Sequence, residues 1–221
     1  FDNINHKLFK MKKLLLSILT LAFVNWTYAQ DDEKLFVYNF YKVNEGHMES
    51  YENVMKHFIS GIQKKMIDEG CKDSWIFRKV DPTTEMSNYI SHYTIDIYDN
   101  GQKPCNIDWG KEVFPELPEA LFNELRNVHQ NNRKRILVAR LGEVAHYNKE
   151  DMPAKFSIIN FMRVDAMDDY IKKHKESTQA VFEKYTNRQL WVANNRLNLE
   201  SYAADEWNYM TVDGYYSKSD A

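Results

Sequence analysis

Glycine is scarce in this chain. Seven in 221 residues form no glycine-rich phosphate loop and no Gly-x-Gly-x-x-Gly turn, which argues against Rossmann-type and P-loop nucleotide binding. The patterns His-Glu-x-x-His and Gly-x-Ser-x-Gly are missing too, so neither zincin chemistry nor a hydrolase nucleophile elbow is indicated. Cysteine occurs twice, as Cys71 and Cys105. The two are far apart and lack spaced histidine partners, so no metal site is expected of them. An excess of positive charge is lacking as well: there are 29 basic and 32 acidic residues. Residues 1–29 hold four of the basic ones (Lys7, Lys10, Lys12, Lys13) and one acidic (Asp2), which leaves the rest of the chain at −6. Such a balance does not suit a nucleic-acid partner, whose phosphates require a basic face. The short basic tract Asn131-Asn132-Arg133-Lys134-Arg135 reads as a solvated helix end. The chain also lacks a long apolar run. Leu14 to Val24 is about half the ~20 residues a bilayer span needs.

That short run has another reading. Lys12 and Lys13 precede it, and Thr27-Tyr28-Ala29 follows and ends in a small residue. The pattern is that of a signal peptide over 11–29, starting at Met11 and cleaved before Gln30. Residues 1–10 then read as a non-native leader upstream of the initiator. Export to the periplasm or the medium is the expectation. Cys71 and Cys105 would there be either a disulfide or two free thiols. With 43% hydrophobic and 14% aromatic residues, the mature chain can bury a core.

Three short patterns occur twice in the same order. Asn39-Phe40-Tyr41-Lys42-Val43, Trp75-Ile76 and Thr94-Ile95-Asp96-Ile97-Tyr98 form the first set. Asn160-Phe161-Met162-Arg163-Val164, Trp191-Val192 and Thr211-Val212-Asp213-Gly214-Tyr215 form the second. The Asn-to-Trp spacings are 36 and 31, and the Trp-to-Thr spacings 19 and 20. Repetition of order and spacing indicates a duplicated unit, 30–150 and 151–221.

Hydrophobic periodicity assigns the elements. Leu35 to Val43 is a strand apolar on both faces, so covered on both. His47 to Glu69 is a long helix with Tyr51, Val54, Met55, Phe58, Ile62 and Met66 on one stripe. Gly61 within it predicts a close approach to the sheet. Strands follow at Ser74–Val80 and Tyr89–Tyr98, a helix at about 119–130, and a strand over 135–147. This β-α-β-β-α-β order gives a ferredoxin-like antiparallel sheet with two helices on one face. The second unit repeats a strand (156–164), a helix capped by Asp165, and strands at 190–197 and 206–216. It then lacks a second helix and a fourth strand, and continuation of the natural chain past Ala221 is the expectation.

The opening strand followed by Val43-Asn44-Glu45-Gly46-His47-Met48-Glu49-Ser50-Tyr51, together with Tyr215-Tyr216-Ser217-Lys218-Ser219-Asp220-Ala221, resembles dimeric α+β-barrel domains of the antibiotic-biosynthesis-monooxygenase type. The resemblance implies two ferredoxin-like units whose antiparallel sheets pair into an α+β barrel, as an internal pseudo-dimer or a homo-oligomer. It implies a small-molecule ligand. The alternatives are a cofactor-independent or haem-using monooxygenase, and an assembly module without ligand. No cofactor is expected; haem, used by some members, would require a helical histidine. Here His57 falls off its helical stripe and His174 sits on one as a core-edge residue. Candidate ligand-binding residues are Asn39, Tyr41, Trp75, His92, Asn160 and Trp191. His92 and Asp96 are the candidates for catalysis, His92 as a base, if their strand face turns into the barrel. They stand about 13 Å apart along the strand, so they cannot share one metal or proton. The competing reading is that this face is simply the less buried one. No metal and no membrane span after cleavage are expected.

Overall fold

The computed structural model describes residues 34–99, 105, 107–148, 154–182, 184, 187–198 and 206–220. The expected leader and signal segment lie outside them. Seven strands and three helices follow in order: β1 (Leu35–Val43), β2 (Ser74–Lys79), β3 (His92–Tyr98), α2 (Glu119–Asn131), β4 (Arg133–Asn148), β5 (Phe156–Met162), α3 (Met167–Phe182), β6 (Arg188–Arg196) and β7 (Tyr209–Tyr215), with α1 over 48–68 between β1 and β2. A π-helical turn, Met55–Ile59, interrupts α1. Gly70 ends the helical region with φ at +71°, a conformation a side chain resists.

All strands join one antiparallel sheet in the order β2-β3-β1-β4-β6-β7-β5. The first four have the ferredoxin-like order, and β6-β7-β5 repeats three of them. The long β4 makes the junction. Its first part pairs with β1, its last part with β6, and a bulge between Glu143 and Ala145 bends it.

The sheet curls. Phe40 on β1 and Phe161 on β5 hold the same place in the two repeats. They are four strands apart in the sheet, about 19 Å if it were flat. Their ring centroids are 6.0 Å apart. The two inner faces therefore form a shared core of Phe36, Tyr38, Phe40, Ile90, Tyr93, Ile95, Leu141, Trp207, Met210 and Val212. Helices cover the outer face. Tyr51, Val54, Met55, Phe58 and Ile62 of α1 pack on Val43 and, with the α2 side chains Phe122, Leu125 and Val128, on β2. Met167, Tyr170 and Ile171 of α3 pack on Trp191 and Tyr209. Each large side chain so buried contributes roughly 1.5–3 kcal/mol.

Three local expectations are corrected. Gly61 approaches the segment before α2, not the sheet: a Cβ there would lie 3.0 Å from the Phe114 ring. Asp165 does not cap α3, which starts at Met167; its carboxylate projects into solvent near Arg163. β3 begins at His92 because Glu85–Asn88 forms a 3₁₀ turn in front of it. Cys71 and Cys105 form a disulfide with Cα atoms 5.4 Å apart. Among the described residues no helix is long and apolar enough to cross a membrane.

Candidate functional site

Asn39, Trp75 and Asp96 come together on the helix-facing side of the sheet; His92 shares that face but sits apart, among other partners. Asn39 Nδ2 donates to Asp96 Oδ2 at 3.2 Å. The buried Lys72 ammonium bonds the same carboxylate and also donates to Gln63 Oε1 at 2.7 Å. Trp75 is the register partner of Asp96 and stacks on Phe77. The second repeat builds the same group. Asn160 Nδ2 donates to Asp213 Oδ2 at 3.1 Å, Arg188 Nη1 lies 3.0 Å from Asp213 Oδ1, and Trp191 is the register partner of Asp213. Burial pushes the Asp213 carboxyl up, opposed by Arg188. The repeated Asn, Trp and Asp thus assemble a carboxylate held by an amide and a cation once per unit, half-buried at Asp96 and buried at Asp213.

His92 is fully buried against Phe77 and Tyr51. Its Nδ1 faces Ser91 Oγ at 3.1 Å and its Nε2 faces Glu52 Oε1 at 3.3 Å. Burial lowers its pKa, with Glu52 opposing. In the second repeat Tyr209 stands at this position, and its hydroxyl meets His174 Nδ1 at 3.0 Å. Tyr41 lies under the Arg133 guanidinium, 3.9 Å from the ring centroid. None of Asn39, Tyr41, Trp75, His92, Asp96, Asn160 or Trp191 lines the barrel cavity. Their face turned to the helices, which supply Glu52 and Gln63 as partners.

The cavity lies on the opposite face. One end of the barrel is plugged by Phe40, Phe161, Trp207 and Met210. The other end holds about 410 Å³. Its walls are Phe36, Ile76, Ile95, Ile97, Ile159, Leu190, Val192 and Val212, with Tyr38, Tyr93 and Arg78 among them. Strand alternation explains this lining: Phe36/Tyr38, Ile76/Arg78 and Tyr93/Ile95/Ile97 are each spaced by two. Gly214 occupies the place that Ile97 has in the first repeat. A Cβ there would lie 2.7 Å from the Ala154 Cβ, so its absence lets the chain at Ala154 close over this end. Burial pushes the Tyr38 hydroxyl far up and that of Tyr93 up, the latter opposed by Arg78. Both phenols are therefore neutral. Asn194, inward by alternation and fully buried, has neither amide atom hydrogen-bonded among the described residues.

The sequence matches no protein-family model and no curated protein. Solved structures do match. Two named "putative monooxygenase" align with a TM-score of 0.50 each. The one from Lactobacillus acidophilus NCFM is 9% identical, over 86% of this chain and 80% of its own. The one from Fusobacterium nucleatum is 14% identical, over 86% and 79%. The chain has the dimeric α+β-barrel fold. A mutant chlorite dismutase from Candidatus Nitrospira defluvii also aligns, at 7% identity and a TM-score of 0.48, over 87% of this chain and 80% of its own. At such identities the likeness is one of fold.

The barrel cavity does not offer haem the helical histidine named above, since neither His57 nor His174 lines it. A haem iron needs an imidazole, thiolate, thioether or phenolate ligand. Burial raises the pKa of both cavity phenols, which disfavours the phenolate form. The imidazole on the cavity wall, His146, is 63% exposed at the rim and paired with Glu143. Among the described residues no three His, Cys, Asp or Glu side chains gather as a metal site. The barrel's inner chemistry is that of an apolar socket that carries Tyr38, Tyr93 and Arg78, with further polar side chains, Lys34, Glu143, His146, Asn148 and Ser157, in its lining. Tyr93, Ile95 and Ile97 share one face of β3, and that face is the wall.

Proposed function

We propose that this protein is an exported barrel that binds a small, largely apolar molecule. The observation that carries the reading is the cavity of about 410 Å³, within the range of small-molecule sites and lined as such sites are. A purely structural barrel would fill both ends; here one end is plugged and the other is hollow. The Cys71–Cys105 disulfide supports passage to an oxidising compartment, as does the signal-like segment over 11–29. The names of the two aligned structures suggest oxygen chemistry, but a shared fold transfers no residue roles. Binding is therefore the activity proposed.

The test uses the neutral fluorophore N-phenyl-1-naphthylamine. Saturable fluorescence enhancement is expected with the wild-type protein. Filling the cavity with Ile95→Trp and Val192→Trp should abolish it while the far-ultraviolet circular dichroism stays unchanged. Absence of saturable binding to the wild type, or equal binding to the filled variant, overturns the reading. N-terminal sequencing of protein recovered outside the cytoplasm should begin at Gln30; an uncleaved chain held in the cytoplasm would refute export.

A further inference from the structure

The cavity has charged groups in its wall, and they are not equally satisfied. Lys34 at the rim faces Asp73 at 3.0 Å and Asp99 at 3.5 Å. Glu143 and His146 face each other. Arg78, half-buried on β2, has no carboxylate partner among the described residues. Its Nη1 reaches the Phe77 carbonyl at 3.4 Å and its Nη2 the Ala154 carbonyl at 3.3 Å. Both bonds are long, both acceptors are neutral, and a guanidinium has five N–H donors. Its cross-strand neighbour is Tyr93, whose hydroxyl and that of Tyr38 belong to the same wall.

A cation set among isoleucine and aromatic side chains loses hydration, and the usual compensation is a counter-charge with matched hydrogen bonds. Among the described residues no carboxylate pairs with Arg78, whereas Lys34 has two and Glu143 faces His146. A planar guanidinium presents parallel donors to a carboxylate or sulfonate. A neutral phenol beside it adds a donor that does not repel the anion. The remaining wall is apolar and suits a hydrocarbon or aromatic body.

We propose that the cavity selects amphiphilic monoanions, with the acidic head on Arg78 and Tyr93 and the apolar body among Ile76, Ile95, Ile97, Ile159 and Val192. This rests on the reading of the cavity as a ligand site and specifies the ligand's class. Arg78 is then the residue that determines specificity, and the ligand's head group adds a tie between β2 and the chain at Ala154.

The experiment compares two probes that differ by one sulfonate: 8-anilino-1-naphthalenesulfonate and N-phenyl-1-naphthylamine. Arg78→Gln should weaken the sulfonate probe about tenfold, a typical effect of losing one charge-assisted contact, and leave the neutral probe within twofold. Arg78→Lys should recover part of the loss. Equal weakening of both probes, or no change in either, overturns the proposal. Retained binding of the neutral probe to the wild type shows that the cavity reading stands even then; loss of both probes from the wild type refutes that reading first. Because Arg78 also holds Ala154, a second measurement needs no variant. Decanoate should displace the neutral probe from the wild type at about a tenth of the concentration that decanol requires. Displacement at equal concentrations overturns the proposal.

Discussion

β1 and β5 carry the same Asn-Phe-x-basic-Val pattern, yet one is buried and the other is not. β1 lies between β3 and β4, and its side chains from Tyr38 to Tyr41 are all buried. β5 pairs with β7 alone among the described strands, and Phe156 and Ile158 stay 42% and 40% exposed. The difference lies in the neighbours and not in the strand's own sequence. The cations that match the two carboxylates differ in the same sense. Asp96 is matched by a lysine with a side chain 3% exposed, Asp213 by an arginine that is 32% exposed. The first repeat thus holds its opening strand and its cation the deeper, although its third strand is less completely buried than β7.

The sharpest way to break this comparison is at the plug. Phe40 is 2% exposed, and Phe40→Ala should cost about 3–5 kcal/mol. Its counterpart Phe161 is half-buried, and Phe161→Ala should cost about 2 kcal/mol. Urea unfolding of both variants decides the point; equal losses would mean that the two halves contribute alike to the plug. A smaller contrast is expected at the carboxylates. Asp96→Asn strands a buried ammonium and should cost about 3 kcal/mol. Asp213→Asn leaves a guanidinium that water reaches and should cost about 1 kcal/mol. Thermal melts in which Asp213→Asn is the more damaging would reverse the ranking of the two halves.

A further contrast is in pH. Burial holds His92 below its ordinary pKa, and burial with Arg133 nearby brings His129 down to about 3. Burial lowers His174 in the second half as well. For a lowered histidine pKa the unfolded chain binds more protons than the fold. Its stabilising contribution is therefore complete above about pH 6.5 and is lost as pH falls toward the folded value. The slope is at most about 1.4 kcal/mol per pH unit for each histidine. His129→Gln should flatten the stability profile between pH 6 and 4 more than His174→Gln does. Identical profiles for the two variants would erase this asymmetry.

Much of the fold was legible because duplication repeats constraints. The Asn, Trp and Thr/Asp blocks fell on the first, second and third strands of each unit, and the register pairs Trp75 with Asp96 as it pairs Trp191 with Asp213. The site was harder to read, for a physical reason. β1 is apolar on both faces, so period-2 alternation could not say which face looks into the barrel. Polar residues on β3 suggested a socket, yet His92 and Asp96 were satisfied by groups arriving on α1 and just before β2. The true wall looked like ordinary core: Tyr93, Ile95 and Ile97, with Ile76. Its one discordant signal was Arg78, a permanent charge alternating with apolar residues on β2. The bulge at Glu143 and the closure at Gly214 depend on tertiary contacts and leave no pattern in the sequence.

The division of the barrel into a solid end and a hollow end has a consequence for how the protein can change over generations. Substitutions at Ile95 or Ile97 on β3, or at Val192 on β6, alter the shape offered to a ligand while the plug, set on β1, β5 and β7, keeps the barrel assembled. New preferences can then be sampled one replacement at a time, with the scaffold insulated from the experiment. Such a layout favours a lineage whose members share a shape and little else.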